Sequence, residues 1–288
     1  MKPHDIPSAA SEIPTPNDVR GALTFIVPQE TKPYFESSAL TGGLPKVYFD
    51  TENHYVDVHD MRRIADRLSL DRQGFVLIPH ETAVVDLYDD EAVADVYDRE
   101  LEELIKRVTG ADRVSVFDHT RRSDRPDGAV NRDGPRAPAD RVHVDYTVTS
   151  GPTRAADVLG EDEVERVLGS GGRIMQVNVW RPIRGPVLRS PLAVADAGSV
   201  QASELIATDQ RFPDRVGEIY QLAHGTGQRW YWVPEMRRDE VLLIKGWDSL
   251  DNGCARFTPH GAFQLEGQDP AAPPRESIEV RTYVVFEG

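Results

Sequence analysis

The chain has 288 residues, a formal charge of −15, a hydrophobic share of 39% and a single cysteine, Cys254. This length exceeds the roughly 100–200 residues of a typical domain but suits one elaborated β-rich unit. The acidity argues against a nucleic-acid partner, which needs clustered Lys and Arg. One cysteine permits no internal disulfide, and no window reaches the ~18 apolar residues of a membrane helix, so neither a membrane partner nor an oxidising compartment is expected. The expected compartment is the cytoplasm, and the sequence sets no oligomeric state.

The opening stretch MKPHDIPSAASEIPTPNDVR carries Pro, Ser and acidic residues where a signal peptide would have a basic start and an apolar run. It is expected to form an exposed arm over residues 1–20, followed by one domain over residues 21–288. KVYFD and GFVLIP read as strands, and EAVADVYDRELEELIKRVTG reads as an amphipathic helix. Its apolar stripe is Val96, Leu101, Leu104, Ile105 and Val108, with Gly110 placed to end it. From residue 111 the chain becomes strand after strand: ADRVSVFDHT, RVHVDYT, RIMQVNVWRPI, PVLRSPLAVAD, RWYWVPEM, EVLLIKGWDS, ARFTPHGAFQ and SIEVRTYVVF. Only TRAADVLGEDEVERVLGSGG, between the second and third of these, reads as one or two short helices. Segments 121–140 and 266–275, rich in Pro, Gly and Asp, read as loops. A mainly β core with flanking helices implies a distorted jelly roll or a related sandwich, whose open mouth can carry a site.

The segment RVHVDYT places His143 and Asp145 two residues apart, on one face of a strand. Alone, such a pair is expected about once by chance in a chain of this composition. Its weight comes from a second strand far downstream, which offers His260 in ARFTPHGAF. Two histidines and a carboxylate leave three positions open on an iron(II) ion, which points to oxygen activation and away from a closed structural metal site. In PPRESIEVRTYVVF, Arg275 and Ser277 share a strand face. A guanidinium pairs with a carboxylate through two parallel hydrogen bonds, and a hydroxyl adds a third. Arg281 lies on the same strand in even register and is a second candidate for that carboxylate; Lys245 is a third, with a solvated strand-end lysine as its plain alternative. Asn178 and Trp180 alternate onto one face, with Arg181 opposite, so Asn178 is a candidate hydrogen-bond donor to a cosubstrate and Trp180 a cavity wall or a core aromatic. Trp247 and His119 are further pocket candidates.

Taken in order, the H-x-D pair, the distal His and the R-x-S pair resemble the iron(II)/2-oxoglutarate-dependent dioxygenase superfamily. More narrowly, RVHVDYT, NVWRPIRGPVLRSPLAVAD, VLLIKGWDS, RFTPHGAF and APPRESIEVR resemble the AsaB/CmcJ-like hydroxylase/desaturase family, over about residues 20–288. The resemblance implies iron(II) held by His143, Asp145 and His260. It further implies 2-oxoglutarate and dioxygen as cosubstrates, the far carboxylate held by Arg275 and Ser277, and a small organic substrate of natural-product type that is hydroxylated, desaturated or cyclised. Segment 121–140, leading into the ligand strand, is then a candidate gate over the substrate. Two alternatives stand beside this reading. One is a cupin-like metalloenzyme that does not use 2-oxoglutarate, and the other is a non-catalytic jelly-roll binding protein.

Overall fold

A computed structural model describes residues 17–43, 45–132 and 134–288. Sixteen strands follow in chain order. They are β1 (Val19–Ile26), β2 (Tyr34–Glu36), β3 (Lys46–Tyr48), β4 (Thr51–Asp60), β5 (Phe75–Pro79), β6 (Arg113–Ser123), β7 (His143–Val144) and β8 (Arg173–Arg184), then β9 (Leu192–Ala195), β10 (Leu205–Arg211), β11 (Val216–Leu222), β12 (Trp230–Trp232), β13 (Glu240–Asp248), β14 (His260–Ala262), β15 (Gln264–Leu265) and β16 (Glu276–Phe286). They form two sheets, one ordered β15-β1-β4-β12-β9-β14-β7-β11-β10-β2-β3 and one ordered β5-β13-β8-β16-β6. The two sheets face each other as a double-stranded β-helix, the jelly roll expected from the sequence.

Strand alternation decides what each face of the smaller sheet meets. Met175, Val177 and Val179 of β8, Val241 and Leu243 of β13, and Ile278 and Val280 of β16 pack outward. There they meet a helical run made of α2 (Asp90–Ala92), a π turn (Val93–Tyr97) and α3 (Asp98–Thr109). Leu101, Leu104 and Ile105 are buried as expected, but Val96 and Val108 are exposed. The π turn inserts an extra residue per turn, so Val93 and Tyr97 take the inward positions and Val96 rotates out. Gly110 ends the helix in the left-handed region, its N–H bonded to the Lys106 carbonyl.

The larger sheet curls on itself. A parallel bridge between Thr24 and Arg141 brings β1 back to the approach of β7, so β1, β4, β12, β9, β14 and β7 wrap around a second core of Leu23, Phe25, Val58, Val142, Trp230, Trp232 and Phe263. Strands β9, β14 and β7 thus serve both this side barrel and the jelly roll. Two helices, α4 (Ser150–Leu159) and α5 (Glu161–Gly169), occupy the segment read as one or two short helices; a further short one, α1 (Ser38–Thr41), links β2 to β3.

Several strands are shorter than the sequence suggests: RVHVDYT contributes only His143–Val144, and PVLRSPLAVAD only Leu192–Ala195. Five were not anticipated, β1, β2, β4, β10 and β11, and β15 overlaps the expected strand ARFTPHGAFQ only at Gln264. Residues 1–16 of the expected arm lie outside the described residues, and Val19 and Arg20 already belong to β1.

Candidate active site

One row of paired residues crosses the inner face of the larger sheet. His143 on β7 stands opposite Gln221 of β11 on one side and opposite His260 of β14 on the other, and His260 in turn faces Val194 of β9. Residues in cross-strand register share a face, so the pairing of two short strands brings the two histidines together although 117 positions separate them in sequence. Asp145 follows at a bend just past β7. One ligand atom from each of His143, Asp145 and His260 lies within 4.8 Å of the others, and His143 Nε2 is 3.6 Å from Asp145 Oδ1.

Each imidazole is oriented by its own strand. His143 Nδ1 donates to the Arg141 carbonyl at 2.9 Å, and His260 Nδ1 donates to the Thr258 carbonyl at 3.0 Å. A carbonyl only accepts, so both rings carry a proton on Nδ1 and turn Nε2, the atom left to bind a metal, toward the shared point. Burial, reinforced by His143, pushes the His260 pKa down and keeps its imidazole neutral, the form that binds a metal. Burial alone would raise the Asp145 carboxyl, but the Arg281 guanidinium and His143 hold it well below the ordinary carboxylate range.

Arg281 is fully committed to this task. Its Nε donates to Asp145 Oδ2 at 3.1 Å, one terminal nitrogen reaches Asp118 at 2.7 Å and the Thr120 hydroxyl at 3.0 Å, and the other reaches Glu279 at 2.6 Å. It therefore orients the acidic member of the cluster and has no fork left for a cosubstrate. Asn178 does the same from β8: its amide donates to Asp145 Oδ2 at 2.6 Å and accepts from Gln176 at 2.6 Å. The Gln176 side chain fits only because residue 246 is glycine, since a Cβ there would lie 2.0 Å from Gln176 Oε1. Asn178 thus supports Asp145, where the sequence suggested contact with a cosubstrate.

Arg275 lies elsewhere in the same cleft, which is lined by His143, His260, Trp180, Leu192, Arg122 and Glu279, among others. It is buried, its Nη1 donates to the Ser190 carbonyl at 2.7 Å, and its Nε has no partner. Trp180 walls the cleft beneath it, with the guanidinium carbon 5.7 Å from the ring centroid. Ser277, also buried, stands in register with Arg122 across β6.

Three pocket candidates fall outside the cleft. Lys245 is neither solvated nor near the histidines: completely buried, it donates to Asp71 at 2.8 Å and Asp248 at 2.6 Å, carboxylates that Arg173 also bridges. A buried ammonium needs such partners, and they lie away from the site. His119 pairs with Asp98 of α3 at 2.7 Å on the outer side of β6. Trp247 is core, pressed against α4 where a Cβ on Gly151 would lie 2.4 Å from its ring.

Sequence reasoning missed Arg122, Glu279, Asp118, Thr120 and Gln221. The last is 2% exposed beside His143, with its amide oxygen unpartnered. Segment 121–140 is a loop only from residue 124, where Asp124 is clamped by Arg189 at 2.7 Å and by Ser190 at 2.9 Å; its Ala139 forms part of the cleft wall.

A jelly roll with two histidines and a carboxylate converging between its sheets defines a class: the non-haem iron oxygenases. The comparisons narrow it. The family described as "Oxidoreductase/YMDC permease-like domain" matches residues 23–285. The alpha-ketoglutarate-dependent dioxygenase phiK of a fungal species is 38% identical over 242 residues, 80% of this chain and 83% of that protein. The hydroxylase/desaturase CTB9 of Cercospora beticola is 33% identical over 269 residues, 86% of this chain and 80% of its own. A solved structure of the iron and alpha-ketoglutarate-dependent endoperoxidase NvfI superposes with a TM-score of 0.82 at 30% identity, covering 95% of this chain and 100% of that one. The chain belongs to this family and is an Fe(II)/2-oxoglutarate-dependent dioxygenase, with iron(II) as cofactor and 2-oxoglutarate and dioxygen as cosubstrates. The cupin-like and non-catalytic alternatives are set aside on the same grounds. Among the described residues no helix is long and apolar enough to cross a membrane.

Proposed function

We propose that His143 Nε2, His260 Nε2 and Asp145 hold the iron, that Arg275 holds the distal carboxylate of 2-oxoglutarate with Ser277 beside it, and that the substrate is a natural-product-type small molecule that is hydroxylated, desaturated or cyclised. The observation that carries this reading is the row of two tethered imidazoles beside Asp145, opening onto the same cleft as Arg275. The donor set fits the metal: two imidazoles presented through Nε2 and one carboxylate would hold an iron ion and leave positions free for the cosubstrates. When bound, the iron would activate dioxygen, the oxidant that takes two electrons from the keto acid on decarboxylation and two from the substrate on removal of hydrogen. The chain's own part is positional. The Arg141 and Thr258 carbonyls fix the rings, Arg281 and Asn178 fix Asp145, and Trp180 and Leu192 exclude water from the wall of the cleft. The segment 121–140, whose first three residues belong to β6, serves as a gate on the substrate side. One domain, acting in the cytoplasm, is consistent with the single cysteine.

Anaerobic titration of the iron(II)-loaded protein with 2-oxoglutarate tests the assignment through the weak visible charge-transfer band of the chelate. The band should appear in the wild type and vanish in His143→Ala. A wild type that binds iron but shows no band at any keto-acid concentration would contradict the reading.

A further inference from the structure

Arg122 and Arg275 are two guanidiniums on one wall of one cleft, and both are short of partners. Arg122 pairs in register with Ser277, and Arg275 lies two positions before Ser277, with the Asp124 N–H donating to its carbonyl as the ladder continues. The two side chains are therefore diagonal cross-strand neighbours. Arg122 donates to the Ala137 carbonyl at 3.0 Å and Arg275 to the Ser190 carbonyl at 2.7 Å. Among the described residues neither has a carboxylate at ion-pair distance. The acids close by are engaged elsewhere, Glu279 and Asp118 by Arg281 and Asp124 by Arg189. Burial and the charge of Arg122 push the Arg275 pKa down to about 9; Arg122 itself is pushed down to about 10 by burial and by other guanidiniums. Arg275 is buried and Arg122 half-buried, and like charges placed together with so little water between them destabilise a fold unless an anion joins them.

We propose that Arg122 is a second anchor for the keto acid, closing with Arg275 on the same distal carboxylate, so that the pair rather than Arg275 alone makes the enzyme select a dicarboxylic cosubstrate. The inference rests on the function proposed above. It goes beyond it by giving a role to a residue outside the R-x-S pair. Two guanidiniums offer the four lone-pair directions of a carboxylate more donors than one Arg and one hydroxyl can. Glu279, in the same cleft but neutralised by Arg281, leaves the pair net positive.

The test uses the intact iron(II)-loaded protein under anaerobic conditions, with 2-oxoglutarate and with 2-oxovalerate, the same five-carbon chain ending in a methyl group. Arg122→Leu should weaken 2-oxoglutarate binding tenfold or more while changing 2-oxovalerate binding less than twofold, with iron(II) affinity unchanged. Arg122→Lys, which restores the charge, should recover part of the loss and guards against a folding defect in the leucine variant. If the charge-transfer band forms in the wild type and Arg122→Leu binds 2-oxoglutarate as the wild type does, the second anchor is wrong and the function stands. Equal loss for both keto acids would also overturn it, because a general disturbance of the cleft would then be the cause. Failure of the wild type to form the band at all would strike the underlying assignment instead.

Discussion

The two faces of β8 and β16 are made from the same backbone and do opposite jobs. Outward, Val177, Val179, Ile278, Val280 and their neighbours meet the helical run in an apolar core, with the buried Arg181 at its margin donating to the Tyr97 hydroxyl. Inward, within the same few residues, lie Gln176, Asn178, Ser277, Glu279 and Arg281, all nearly or wholly withdrawn from solvent. Burying such polar groups costs free energy unless they are hydrogen-bonded, and the inner face offsets much of that cost by linking Gln176, Asn178, Arg281 and Glu279 into one network centred on Asp145. The outer face can change shape by packing; the inner one can change only by breaking a chain of bonds. Stability and chemistry are thereby assigned to opposite sides of one sheet.

Substitutions on each face should separate these roles. His260→Ala should abolish iron(II) binding, measured by equilibrium titration, while the circular dichroism spectrum keeps its β signature; retained stoichiometric iron would disprove the ligand assignment. On the outer face, Leu104→Ala in α3 should cost about 2–5 kcal/mol in denaturant unfolding. Iron affinity per folded molecule should not change, and a parallel loss of affinity would show that the two faces are not independent. Arg281→Met should leave Asp145 and Glu279 without their cation and weaken iron binding by roughly 10–100-fold, the usual scale for removing an outer partner of a ligand. Asn178→Ala should have the same sign and a smaller effect, about tenfold, because Arg281 still holds Asp145; a larger loss than for Arg281→Met would reverse their ranking. The smallest effect concerns neither face. Hydrogen bonding to Arg173, and then to Lys245, lowers the Asp71 pKa from 3.8 to about 2 against the opposing effect of burial. Its contribution to stability is present above pH ~4 and disappears as the pH falls toward 2, since the unfolded chain takes up the proton first. Wild type and Asp71→Asn should therefore differ in melting temperature at neutral pH, and the gap should narrow below pH ~4 and close only near pH 2; a constant gap would mean that the charge is not what Asp71 contributes.

What the sequence made legible follows from distance along the chain. H-x-D and R-x-S are local patterns, and period-two alternation correctly set Asn178 and Trp180 inward and Arg181 outward. Arg122 was not legible because its meaning depends on pairing with Ser277, more than 150 positions away. A register shift in β6 between Val116 and Asp118 also breaks the alternation that would have aligned Asp118, Thr120 and Arg122 with the site. Strands β1, β4, β10 and β11 were missed because they mix polar and apolar residues: β4 reads TENHYVDVHD and buries only Val58 and Asp60. Lys245 illustrates the reverse error. A lysine in an apolar strand suggests a solvated end, and only the fold reveals that Asp71, Asp248 and Arg173 surround it.

Strands β7, β9 and β14 belong at once to the side barrel and to the row that carries His143 and His260. The two cores consequently have no seam along which one could melt while the other persists, and the chain should unfold as one cooperative unit. Occupancy of the cleft is then felt at a distance: amide protons of β1 and β4, which touch neither iron nor keto acid, should exchange more slowly once both are bound, by the same free energy that binding adds to the whole fold.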